Sequence, residues 1–271
     1  MPELPEVETV RWVLKSNLVH KTIESIDVFY QGILEDSLED FLKNTLNKTI
    51  IDIKRYGKYL IFELNEGYIL SHLRMEGKYY YLENSFMEDK HIHVVFHFKD
   101  NSTLYYKDVR KFGRMKYIDR NIYNELPLSK LGPDLILNEN IDLDDIYHKI
   151  HTSKKAIKPL LLDQEIVAGL GNIYVDEVLF SARINPKKKG YRNTKSNLKD
   201  ILKESKRILT LAIEHKGTTI KSNTSSLGVE GEYQAFLQVH TKNIRPNCKM
   251  ALNRVKIDKR MTYYCKNCQR W

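Results

Sequence analysis

The 271-residue chain has only three cysteines, Cys248, Cys265 and Cys268, all close to its end. An odd number crowded at one end is a poor disulfide framework and suits a reducing compartment. No apolar run approaches the length of a membrane span, so no membrane partner is expected. The opening MPELPEVETV is acidic and lacks an apolar core, which excludes a secretory signal. There is no internal repeat. These absences describe an intracellular protein with a core of its own.

What is present narrows the field. Hydrophobic residues make up 42% of the chain, enough for a proper core, and the length exceeds the usual single domain, so two modules are expected. Lys and Arg number 44 against 35 Asp and Glu, a net charge of +9. A basic balance attracts polyanions, nucleic acid foremost. A lysine-rich surface from a biased genome gives the same number, so charge alone does not decide.

Residues 5–18 read as a helix, with Val7, Val10, Leu14 and Leu18 on one face and Pro5 at its start. From about 22 to 119 the chain turns to short β-branched or aromatic segments split by Gly, Asn and Asp, without intervening helices, which predicts an antiparallel sandwich or barrel. The expected fold is therefore α+β and multidomain. Residues 1–120 form a β-sandwich with one leading helix, and 121–142 a linker. Residues 143–217 form a helical module, with helices at 143–151 and 155–164, another on NIYVDEVLFSAR, and the longest from Asn197 to Lys216, stopped by Gly217. Residues 218–237 are read as a flexible loop and 238–271 as a hairpin tail, whose stretch from 241 holds nine basic residues and one acid, Asp258.

The arm MPELPEVETVR carries the chemistry. Removal of Met1 exposes the secondary amine of Pro2, and an α-amine with a pKa of about 8 is partly neutral at physiological pH without burial. A neutral amine attacks a sugar carbon and forms an imine. The adjacent carboxyls of Glu3 and Glu6 can move protons there. A Pro-Glu start can equally do no more than cap a helix.

The same string resembles the start of the bacterial formamidopyrimidine-DNA glycosylases. Further segments follow in the family's order: RYGKYL at 55–60, HLRMEGKY at 72–79, DVRKFG at 108–113, LLLDQEIVAGLGNIYVDEVLF at 160–180, and the cysteine tail. The resemblance covers essentially the whole chain. It implies a monomeric base-excision repair enzyme on double-stranded DNA, which removes 8-oxoguanine and formamidopyrimidines and then cuts the strand. It also implies a helix–two-turn–helix module, a zinc-finger-type hairpin, and DNA running in a basic cleft between the halves.

Residue by residue, the resemblance makes Pro2 the nucleophile, Glu3 a proton donor, Lys58 an active-site cation, and Arg260 the fingertip arginine on the phosphates. Met75, Arg110 and Phe112 fill the gap left by the extruded nucleotide, whose unstacking costs a few kcal/mol. His91, Arg110, Lys154, Lys155 and Asn172 contact DNA, with Lys158 facing the backbone as well and Glu76 near the damaged base. Taken alone, Met75 and Phe112 read as core residues and the lysines as solvated charge. The helix beginning at Asn172 offers free N–H groups to a phosphate.

The family's zinc finger has two Cys-x-x-Cys pairs. Here Cys265 and Cys268 make one, Cys248 supplies a third thiol, and Arg245 stands where the fourth would be. One zinc ion is expected on Cys248, Cys265 and Cys268, with His240 as the candidate fourth ligand. Two alternatives stay open: an endonuclease VIII-like enzyme for oxidised pyrimidines, and a non-catalytic damaged-DNA-binding protein.

Overall fold

The computed structural model describes residues 1–218, 231–244 and 250–271. They form two compact units, Met1–Ser129 with Lys216–Glu232, and Lys130–His215 with Tyr233–Trp271.

The first unit opens with α1 (Leu4–Leu18), which has Glu3 as its N-cap and Pro5 in its first turn. A proline lacks the N–H that this turn could not use, so Pro5 starts the helix at little cost. Eight strands follow: β1 (Ile23–Val28), β2 (Ile50–Tyr56), β3 (Tyr59–Leu64), β4 (Tyr68–His72), β5 (Lys78–Glu83), β6 (Ile92–Phe98), β7 (Ser102–Lys107) and β8 (Arg114–Ile118). They make two antiparallel four-stranded sheets, ordered β1-β6-β7-β5 and β2-β3-β4-β8. One core holds both together, with Ile26, Phe96, Leu104 and Tyr79 from the first sheet against Ile53, Leu60, Ile69 and Met115 from the second. Val7, Leu14 and Leu18 of α1 join it. The expected sandwich with a leading helix is therefore present.

The reading of unbroken strands between 22 and 119 needs one correction. Residues Leu38–Thr45 form a second helix, α2, capped by Ser37, whose hydroxyl accepts the Asp40 N–H at 3.0 Å. Phe41 carries this helix into the core. The Ser37–Asp40 spacing is a helix-start signal that the surrounding strand pattern hid.

The second unit contains α3 (Leu143–His151), α4 (Ile157–Leu162), α5 (Asn172–Ser181) and α6 (Lys195–Glu214), then β9 (Asn253–Ile257) and β10 (Arg260–Tyr264). Helix α5 is buried along Ile173–Phe180, which explains its uninterrupted apolar run. Helix α6 begins two residues before Asn197. Thr194 is its cap, and the Asn197 side chain returns a bond to the Thr194 N–H at 3.2 Å. Asp258 and Lys259, at φ +46° and +63°, make the two-residue turn of the β9–β10 hairpin. Among the described residues no helix is long and apolar enough to cross a membrane.

Candidate active site and DNA-contacting residues

In the first unit the N-terminal arm is built into the fold. The Glu3 N–H donates to Glu6 Oε2 at 2.9 Å. Glu6 Oε1 accepts the Thr218 N–H at 2.7 Å and its hydroxyl at 3.1 Å. One carboxylate therefore anchors residue 3 to residue 218, and both Glu3 and Glu6 are buried. Met1 still precedes Pro2, so the α-amine of the arm belongs to Met1. Burial lowers the pKa of that amine, and Lys58 lowers it further, against the opposing pull of Glu3, Glu6 and Glu76. The arm, Lys58 and Glu76 thus share one electrostatic neighbourhood.

Lys58 sits at the β2–β3 turn beside Gly57, whose φ of +56° suits a two-residue hairpin. It is buried, at 5% exposure. Arg55 secures the turn to α1: its Nε donates to Glu8 Oε2 at 2.8 Å and its Nη1 to the Gly57 carbonyl at 3.0 Å. Burial alone would raise the Glu8 pKa. Bonds from Arg11 and Arg55 outweigh it and hold the carboxyl below its usual range.

Met75 lies in the turn between β4 and β5, half-buried, and Arg110 and Phe112 lie exposed in the loop between β7 and β8. Both segments press on Tyr106. A Cβ added to Gly77 would fall 2.4 Å from the Tyr106 hydroxyl, and one on Gly113 only 1.6 Å. Only glycine allows that approach. Asp108 organises the second loop. Its Oδ1 accepts the Arg110 N–H at 3.0 Å, and its Oδ2 accepts those of Phe112 and Gly113 at 2.9 and 2.8 Å. The Arg110 guanidinium then lies 4.8 Å from the Phe112 ring centroid, a cation–π contact. His91 is tied to this loop through its carbonyl, which accepts the Asp108 N–H at 2.9 Å. His72, at the end of β4, is neutral: burial first, then Arg74 and Lys58, push its pKa down to about 3. Its Nδ1 accepts the Arg74 N–H at 2.9 Å.

In the second unit Lys154 and Lys155 are exposed just before α4. Lys158, expected at the DNA backbone, is not at the surface. It lies in α4 facing α5, both side chains at 0% exposure, with its Nζ 2.7 Å from Asp176 Oδ1. A carboxylate inside the module draws this lysine away from solvent. Asn172 opens α5, and its Nδ2 donates to the Met261 carbonyl at 3.0 Å. Gln164 shapes the turn before it, accepting the Gly169 N–H and donating to the carbonyls of Leu162 and Leu170. Arg260 is exposed at the start of β10.

The sequence reading did not single out Asp108, Gln164 or the Arg55–Glu8 pair. The signal for Asp108 lies in its own motif: an Asp at the end of a strand-like run and a Gly five residues on bound a loop, and Asp at a loop start commonly bonds the backbone ahead of it.

Among its described residues the tail presents no closed metal site. Cys248 and Arg245 lie outside the described residues, as does most of the expected loop, residues 219–230. Cys265 is buried and packs with Phe180, Val239 and Leu252, and its N–H donates to Gln269 Oε1 at 2.8 Å. His240, the candidate fourth ligand, engages Asp176 Oδ2 through Nδ1 at 2.9 Å. Among the described residues no three His, Cys, Asp or Glu side chains group around a metal-sized space. Structural zinc takes four ligands. Two described thiols and one imidazole are three groups where a closed site needs four.

A β-sandwich bearing a buried amine–carboxyl–lysine cluster, and a helical module with a basic hairpin, define a DNA-processing protein in class. The comparisons are more specific. The model of the formamidopyrimidine-DNA glycosylase N-terminal domain matches residues 1–115, and that of the family's H2TH domain matches residues 131–224. Formamidopyrimidine-DNA glycosylases of Mycoplasma mobile and Streptococcus mutans are each 42% identical, over 99% and 100% of both chains. The wild-type Lactococcus lactis Fpg (MutM) in complex with DNA containing N7-benzyl-Fapy-dG superposes with a TM-score of 0.91 at 39% identity, covering 100% of both chains. An L. lactis Fpg complex with abasic-site DNA gives 0.90 at 38% identity, again over 100% of both chains. The chain belongs to the formamidopyrimidine-DNA glycosylase family, the base-excision repair glycosylases of oxidised purines. Members of this family usually carry a zinc finger.

Proposed function

We propose that this chain excises 8-oxoguanine and formamidopyrimidines from double-stranded DNA and then cleaves the strand, with the Pro2 amine as nucleophile. The supporting observation is the cluster around the arm, where Glu3, Glu6, Lys58 and Glu76 surround the chain's amino terminus, and burial and Lys58 lower the pKa of the amine that stands there, that of Met1. A neutral amine is what attack requires. With Met1 removed, the Pro2 nitrogen bonds to C1′, the glycosidic bond breaks, and the base leaves with a proton relayed from Glu3. Lys58 stabilises the negative charge that develops. Protonation of the sugar oxygen O4′ by Glu3 then breaks C1′–O4′ and leaves the open-chain iminium, which acidifies C2′–H. Loss of that proton breaks C3′–O3′, and a second elimination breaks C5′–O5′. Water then releases the sugar fragment, leaving a one-nucleotide gap with phosphate at both ends.

Met75, Arg110 and Phe112 are the residues for the vacated stack, on two segments braced by Tyr106. His91, Lys154, Lys155 and Asn172 are positioning contacts without sequence preference. The catalytic part is the sandwich at 1–120, joined by the 121–142 linker to the 143–217 module, the 218–237 loop and the 238–271 hairpin. Arg260 binds the phosphates around the lesion and assists the second elimination. Zinc receives no step: three thiols with Arg245 in the fourth register do not make a closed set. An enzyme of this kind works where the chromosome is, in the bacterial cytosol and nucleoid, and as a monomer.

The test is substrate competition. Purified protein is offered a labelled duplex with 8-oxoguanine opposite cytosine alongside one with an oxidised pyrimidine, and the products are resolved on a denaturing gel. Preferential cleavage of the 8-oxoguanine strand is expected. Preference for the pyrimidine strand would favour the endonuclease VIII-like alternative, and binding without cleavage of either would favour the non-catalytic one.

A further inference from the structure

A fully buried ion pair is an expensive way to hold two helices together. Desolvation costs several kcal/mol per ion, and well-packed apolar side chains often serve stability as well or better. What a buried pair adds is directional bonding, and Lys158 and Asp176 direct theirs at the hairpin. Besides Asp176 Oδ1, the Lys158 ammonium donates to the Met261 carbonyl at 3.1 Å. Asp176 Oδ2 accepts the Tyr263 N–H at 3.3 Å as well as engaging His240 Nδ1. A carbonyl at one residue and an N–H two residues on point to the same side of a strand. In β10 that side is the edge not paired with β9. Lys158 and Asp176 therefore offer β10 a donor and an acceptor in the order a third strand would, and Asn172 adds a second donor to the same Met261 carbonyl. Arg260 is the residue before Met261.

We propose that Lys158 and Asp176 are positioning residues that set the register of β10 on α4 and α5, and thereby aim the Arg260 guanidinium at the phosphate leaving in the second elimination. The proposal rests on the reading of Arg260 given above. In that step a base takes the C4′ proton, the C5′–O5′ bond breaks, and the phosphate departs as an anion beside a cation. A displacement on the order of 1 Å costs such a step up to about a hundredfold, while nucleophilic attack, carried by the other unit, is untouched.

The experiment compares the wild type, Lys158→Met, Arg260→Ala and the double variant on a duplex carrying 8-oxoguanine. The gel reads the ratio of first- to second-elimination product, and borohydride trapping reads imine formation independently. Lys158→Met is expected to keep the trapped adduct while the second-elimination product falls about tenfold or more. Arg260→Ala should give the same signature, and the double variant should lose no more than Arg260→Ala alone. If thermal melting shows that Lys158→Met does not fold, Lys158→Met/Asp176→Leu replaces the pair with apolar side chains and carries the same expectation. A wild-type product ratio in the folded Lys158 variant, or additive losses in the double variant, overturns the proposal. A wild-type ratio in Arg260→Ala instead overturns the reading of Arg260, so the two failures are distinguishable.

Discussion

Replacing Asp108 with Asn isolates the device that presents Arg110 and Phe112. The carboxylate is wholly buried and accepts three backbone N–H groups, one on Oδ1 and two on Oδ2. Asn has one acceptor oxygen. In its better orientation it keeps the two bonds to Phe112 and Gly113 without their charge, and sets an NH2 group against the Arg110 N–H. Hydrogen bonds to a charged group contribute about 1.5–3 kcal/mol each, and a stranded buried donor costs about 1–3 kcal/mol. The substitution should therefore cost about 2–4 kcal/mol, concentrated in the 108–113 loop. Hydrogen exchange measures this locally. At about 1.4 kcal/mol per factor of ten, the Phe112 and Gly113 amides should exchange roughly 30- to 1000-fold faster, with the β2–β3 amides changed far less. Affinity for an abasic-site duplex should fall with them, because an unbraced loop must be ordered on binding. Wild-type exchange at these two amides would refute the assignment of Asp108 as the organiser of the loop.

Two further outcomes follow from the charges and donors. The folded state holds His72 at about 3 against 6.5 ordinarily, so as pH falls through 6.5 the unfolded chain takes up a proton that the folded chain refuses. Stability present above 6.5 is lost progressively toward pH 3, by on the order of 5 kcal/mol in all. Urea titrations of His72→Gln from pH 7 to 4 should show a flatter decline than the wild type, and an equal slope would contradict the buried neutral imidazole. Chelation tests the tail. With Arg245 standing where the fourth thiol of a closed set would be, prolonged EDTA treatment should leave the melting temperature within about a degree, whereas loss of a structural zinc would remove several kcal/mol and lower it by many degrees.

The legible parts of the fold were those with strong local signals. The period of Val7, Leu14 and Leu18 marked α1, and α3 lies on the expected 143–151 span, where the Asp142 cap accepts the N–H groups of Asp144 and Asp145. Helix α2 escaped because its eight residues are bounded by strands on both sides. A short amphipathic run is ambiguous there. Lys158 was misplaced for a different reason. Side-chain charge normally predicts exposure, and nothing local to residues 154–158 announces a carboxylate eighteen residues on that takes it inside. The candidate site divides in the same way. Pro2, Glu3, Lys58 and Arg260 stood out through their motifs. What holds them was not legible: Glu6 was named for its carboxyl, but its bond from Thr218 across 212 residues of sequence is a tertiary contact that no local pattern encodes.

The central claim is that the amine of residue 2 forms the covalent bond to DNA. The direct measurement is borohydride reduction during reaction with an 8-oxoguanine duplex, followed by peptide mapping of the adduct by mass spectrometry, on wild type and Pro2→Gly in parallel. The wild type should yield an adduct on the N-terminal peptide at Pro2, with Met1 absent, and the variant should trap far less. An adduct mapped to Lys58 or another lysine, or equal trapping by the variant, would contradict the mechanism.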